Sequence, residues 1–152
     1  MSTDYIVASL PSLTFGAAAP VSWERFVAIA GDSLIRESLR QTGWDDIETQ
    51  LRNAVAEARN GDTHKRPVCG CSVYWKNRVL ACFQEKDVLR RDELLDRVWW
   101  DAAEELTSPT SPLGRGAVAT YAVRLRIALK RALISADAGN EVFDRLTAET
   151  KR

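Results

Sequence analysis

The residue types best suited to chemistry cluster in one part of the chain. His64 is the only histidine, and Cys69, Cys71 and Cys82 are the only cysteines, all within or just before VCGCSVYWKNRVLAC. Thiolates and an imidazole are zinc ligands, and four of them would complete a tetrahedral site. The spacing argues against it. Cys-x-Cys is tighter than the usual two-to-four-residue gap, and no second pair follows. A redox reading has Cys69 and Cys71 closing a strained disulfide, but no electropositive setting or helix N-terminus is evident to make a reactive thiolate. A Cys–His nucleophile pair would also need a third group to orient the base. A plainer reading accounts for more residues. A helix starting near Cys71 or Ser72 puts Trp75, Val79, Cys82 and Phe83 on one face and keeps Lys76 and Arg78 wet. Cys82 is then a small buried hydrophobe. No catalytic residue, metal ligand or cofactor is assigned.

Other charged groups invite the same test. Asp92 and Asp96 lie one helical turn apart, as do Glu93 and Arg97. Paired carboxylates do acid–base work only where their environments separate their pKa values. The string DELLDR reads more simply as a solvated face with an ion pair. Residues 113–134 contain no acid, and Arg115, Arg124, Arg126, Lys130 and Arg131 line one side of an otherwise apolar helix. Such a face would meet phosphates or an acidic protein surface. It has no interleaved aromatics, and the chain carries zero net charge, so a protein surface is preferred to nucleic acid. Trp99 and Trp100 are adjacent, hence about 100° apart on a helix. Trp99 falls on the apolar stripe, which leaves Trp100 for a boundary or a partner.

These residues need a folded body to position them. The 152 residues are 45% hydrophobic and 28% charged, enough for one domain, 1–152, with a real core. Residues 1–62 hold nine acids and five bases; the remainder holds twelve and sixteen. No apolar run reaches the length of a membrane span, and Asp4 sits where a secretory signal would be basic. A cytoplasmic location with reduced thiols is expected.

Helical spacing dominates the chain. Ser22 caps a segment carrying Trp23, Phe26, Val27 and Ala30, and Gly31 separates it from DSLIRESLRQ. Ile47, Leu51, Ala54, Val55 and Ala58 continue the pattern from Asp45. Residues 60–67 read as a linker and 107–116, with two prolines and two glycines, as a loop. Between them lie helices over about 74–86 and from Asp87 or Asp92 to Leu106. A long helix covers about 117–134, with an apolar stripe wide enough for more than one neighbour. Asp137 is expected to cap a short final helix carrying Val142, Phe143 and Leu146. Tyr5 to Leu10 reads equally as a strand or a helical turn, broken by Pro11. The expectation is a single all-α domain of five to seven helices.

Taken in order, YIVASLPSLTF, PVSWERFVAIAGDSL, DELLDRVWWDAAEEL and AVATYAVRLRIALKRALISADAGNEVFDRL span most of the chain, from Tyr5 to Leu146. As a set they resemble a family of small uncharacterised bacterial proteins encoded among V-type (A/V-type) ATPase subunits. Members look like counterparts of the helical central-stalk subunit called C or d, which links the rotor shaft to the membrane ring and has no active site. The resemblance implies structural roles for Tyr5, Leu10, Pro11, Trp23, Phe26, Asp96, Trp99, Tyr121, Leu125, Gly139 and Phe143. VCGCSVYW departs from the family pattern. The expectation is a non-catalytic subunit or assembly factor of a V-type ATPase, peripheral to the inner membrane through the complex. Its partner-binding residues would be Trp100, Arg115, Arg124, Arg126, Lys130 and Arg131, and its partners V-type ATPase subunits. The competing expectation is a small cysteine-based metal-binding or redox-responsive protein.

Overall fold

In the computed structural model, residues 2–60 and 72–150 are described, with side chains left aside at 135–144, 149 and 150. Among the described residues there are eight helical segments and no strand, against the five to seven helices expected. They are α1 (Thr3–Ser9), α2 (Trp23–Ala30), α3 (Asp32–Gln41), α4 (Trp44–Asn60), α5 (Val73–Cys82), α6 (Val88–Ala102), a 3-10 turn (Ala103–Leu106) and α7 (Arg115–Thr150). The residues expected to form the linker lie outside the described part from position 61 onward, as do His64, Cys69 and Cys71.

Local chemistry explains most boundaries. Ser2, Ser22 and Ser72 each accept a hydrogen bond from the amide three residues on, and Asp87 accepts one from Leu89, so α1, α2, α5 and α6 start at side-chain caps. The ambiguous N-terminal segment is therefore helical, and it ends at Leu10, where Pro11 withholds an amide. Gly31 takes the cap position of α3 at φ +87°, and Asp32 sits in the first turn of α3, paired with Arg36 at 2.9 Å. A side chain at position 31 would strain that backbone.

Two expectations about helix ends need correction. The segment expected to run as one helix to Leu106 tightens into the 3-10 turn after Ala102. The start of α7 lies close against this turn: a Cβ on Gly116 would overlap the Leu106 carbonyl oxygen. The second correction concerns Asp137. No new helix begins there, since α7 continues without a break to Thr150. Nothing before Asp137 stops the helix. Residues 128–138 are rich in alanine and leucine and hold no proline, and Gly139 alone costs only about 1 kcal/mol.

The core has two lobes that share α7. One gathers Trp44, Leu51, Trp75, Val79, Cys82, Val98 and Trp100 from α4, α5 and α6, against Ala119, Val123 and Ile127. The other gathers Ile6, Phe26, Ala30 and Ile35 from α1, α2 and α3, against Val118, Ala122 and Leu125. The first half of α7 is thus buried on two sides, which accounts for its wide apolar stripe. Each fully buried Leu or Val in it contributes roughly 1.5–3 kcal/mol.

Candidate functional site: a groove between three helices

The basic face of α7 is largely spent on the fold. Arg124 donates through Nε and one terminal nitrogen to the Trp100 carbonyl, both at 3.1 Å, and pairs with Glu104 at 2.8 Å. Lys130 and Arg131 both reach Asp96, at 2.8 and 3.2 Å. Asp96 is only 13% exposed, so this carboxylate is a nearly buried acceptor that clamps α6 to α7. Arg115 donates to Gln41 at 2.6 Å and lies 3.6 Å from Glu37 on α3. Arg126 is exposed, with its guanidinium 4.6 Å from the centre of the Trp23 ring. The run without acids reads as a free cationic face only because the acids that meet it belong to other elements.

The tryptophan pair is placed the other way round from the expectation. Trp100 is 6% exposed and packs edge-on against Phe15, with Arg124 over its ring. Trp99 is half-buried at the edge of the same lobe. The cause is the crossing of α6 over α7. Trp100 faces α7 and the chain before α2, while Trp99 turns toward the side where α4 and α7 diverge.

That divergence makes a groove. α6 packs on both α4 and α7, and the three line an open trough of about 1300 Å³. Its apolar floor includes Val55, Leu95, Trp99, Val123 and Ile127, with the exposed Ile134 at its lip. Its α4 wall carries Arg52, paired with Glu48 at 3.2 Å, and Arg59, and its α7 wall carries Arg126, Lys130 and Arg131. The α6 side is acidic at Asp87, Asp92, Glu93 and Asp96, with Arg90 held by Glu93 at 3.0 Å. At 17 residues, α4 gives the trough a length of about 26 Å. An apolar floor between charged rims suits an amphipathic helix, which buries its stripe and leaves its polar side wet.

Several charged groups of the groove are held by one another. Asp92 and Asp96 do not form a carboxylate pair, since Asp96 is held by two cations of α7 while Asp92 is exposed. Cys82 is buried and donates to the Arg78 carbonyl at 3.2 Å. Burial pushes its thiol pKa up, despite the nearby Arg78 charge, which is the opposite of a reactive thiolate. Arg78 itself is pulled down by burial, but Asp101, 2.8 Å away, outweighs this and raises it. Among the described residues no group of three or more His, Cys, Asp or Glu is placed to hold a metal, and no helix is long and apolar enough to cross a membrane.

Several positions singled out by the family resemblance meet in one place. The Tyr121 hydroxyl donates to the Pro11 carbonyl at 2.8 Å, and its ring lies 5.1 Å from that of Phe26. Trp23 stacks edge-on against Phe26, and Leu125 is fully buried in the same lobe. Tyr5 is exposed, and the side chains of Gly139 and Phe143 lie outside the described set. The groove itself was not visible in the sequence. Its local signal was Ile134, a large apolar residue past the last base of α7's basic stretch, which lines the groove and is exposed. Compared with family models, with curated proteins and with solved structures, the chain finds no match.

Proposed function

We propose that this protein acts through docking and carries out no chemistry of its own. In this reading it is a non-catalytic subunit or assembly factor of a V-type ATPase, with V-type ATPase subunits as partners. One observation carries the docking role: the groove of α4, α6 and α7, with its apolar floor of Leu95, Trp99, Val123 and Ile127 and its charged rims. The named complex rests on the family resemblance. ATP hydrolysis and ion transport belong to other subunits, and any membrane association is through them.

Arg124, Arg131 and Trp100 hold the fold together, so substituting them would confuse docking with folding. The groove lip is the better place to test. Capture of the tagged protein from its native cell should recover V-type ATPase subunits. Ile134→Glu, at an exposed position on the lip, should reduce that recovery while helicity stays unchanged. Equal recovery by the variant would remove the groove from the reading. Failure to recover any such subunit, where the ATPase itself stays assembled, would remove the complex.

A further inference from the structure

α7 is too long for the body it belongs to. Its 36 residues extend about 54 Å. A compact body of the chain's other residues together with the buried half of α7 is only about 36 Å across. The buried positions of α7 run from Val118 to Ala128. Beyond Arg131, which still grips Asp96, the described side chains are exposed at 132–134, 145, 146 and 148. A helical segment of this length with a glycine inside it is marginal in water unless something packs on it.

The extension is acidic, and the α4 and α7 walls of the groove carry arginines. Residues 135–150 contain four acids, Asp137, Glu141, Asp144 and Glu149, and one base, Arg145. Ala138, Val142, Phe143 and Leu146 recur there at three- and four-residue spacing, as on an amphipathic helix. The groove offers an apolar floor between an α4 wall and an α7 wall that carry Arg59 and Arg126, while Arg52 is paired with Glu48 at 3.2 Å and the acids lie on the α6 side. Arg59 and Arg126 lie over the rings of Phe83 and Trp23, and stacking on a ring does not cancel a charge. The extension is an unbroken continuation of the α7 wall, so it cannot fold back into the groove that this wall bounds. Ile134 marks the place where the groove ends and the extension begins. A two-fold axis near Ile134 would therefore let two chains exchange extensions, each filling the other's groove in an isologous contact.

We propose that the groove receives the acidic C-terminal extension of α7 from a second copy of this chain, making a reciprocal dimer. This rests on the reading of the groove as a helix-binding site, and it names the helix. Zero net charge leaves no overall repulsion between the copies.

Sedimentation of the full chain over a range of concentrations tests the idea. The unsubstituted protein should sediment as a dimer of the 17.0 kDa chain. Arg59→Glu with Arg126→Glu should weaken the dimer about tenfold or more at low salt, with helicity unchanged. Adding Asp137→Lys and Glu141→Lys to that variant should restore association. A monomer at every concentration overturns the proposal, as does a dimer that both charge reversals leave unchanged. A monomer that still captures V-type ATPase subunits, and loses them on Ile134→Glu, overturns the dimer and leaves the groove standing.

Discussion

The two halves of α7 belong to one helix but live in different surroundings. From Arg115 to Arg131 the helix is buried on two sides and clamped by Asp96. From Ala132 onward its described side chains face solvent, Thr147 only in part. Propensity does not make the difference, since leucine, alanine and arginine occur in both halves. The difference is what lies opposite. Tertiary packing supplies most helix stability in proteins; one half is held by its own chain, and the proposed dimer would supply a surface for the other.

The largest effect should separate the halves directly. Leu125→Ala removes a fully buried side chain and should cost about 2–5 kcal/mol in chemical denaturation. Leu133→Ala makes the same change two turns later, at 63% exposure, and should stay within about 0.5 kcal/mol in dilute protein. Similar costs at both positions would erase the distinction. Next comes the entry to the buried half. Gly116→Ala would drive a Cβ into the Leu106 carbonyl, which cannot yield like a flexible side chain, and should cost about 1–3 kcal/mol. An unchanged melting temperature would mean that the 3-10 turn and α7 are not so closely apposed.

Asp96→Asn tests the boundary between the halves. It keeps the size of the acceptor and removes the charge that holds Lys130 and Arg131, so about 1–2 kcal/mol should be lost. Amide exchange should rise first near residues 130–134, and a uniform rise along α7 would contradict the boundary. The smallest effect concerns pH. Burial raises the Tyr121 phenol, which donates to Pro11. The folded pKa lies above the unfolded one, so its contribution is complete below about pH 10 and fades as pH climbs through the folded value. Tyr121→Phe should cost about 1 kcal/mol at neutral pH and flatten the alkaline loss of stability. An alkaline limb of unchanged slope would assign that loss to other groups.

The sequence exposed helices and caps well, because those signals are local. Ser22, Ser72 and Asp87 sit where their hydrogen bonds require, and the i,i+3 and i,i+4 stripes mark the buried faces. The groove was hidden because it exists only where three helices from separate segments diverge. The basic face misled for a related reason. Arg115, Arg124, Lys130 and Arg131 look unopposed along the chain, yet Glu37, Glu104 and Asp96 meet them across helix contacts. Trp99 and Trp100 could not be told apart locally, since which indole is deeper depends on the crossing of α6 over α7. The continuation of α7 past Asp137 was legible in principle. A residue able to cap a helix starts one only where the preceding residues break it, and residues 128–136 do not.

The most direct test of the contrast within α7 is hydrogen exchange at its amides, followed as the protein is diluted. Residues 118–128 should remain protected at every concentration. Residues 136–150 should be protected in concentrated protein and lose that protection on dilution, as expected of a helix packed on a second copy. Protection there that ignores dilution, or none at any concentration, would contradict the account.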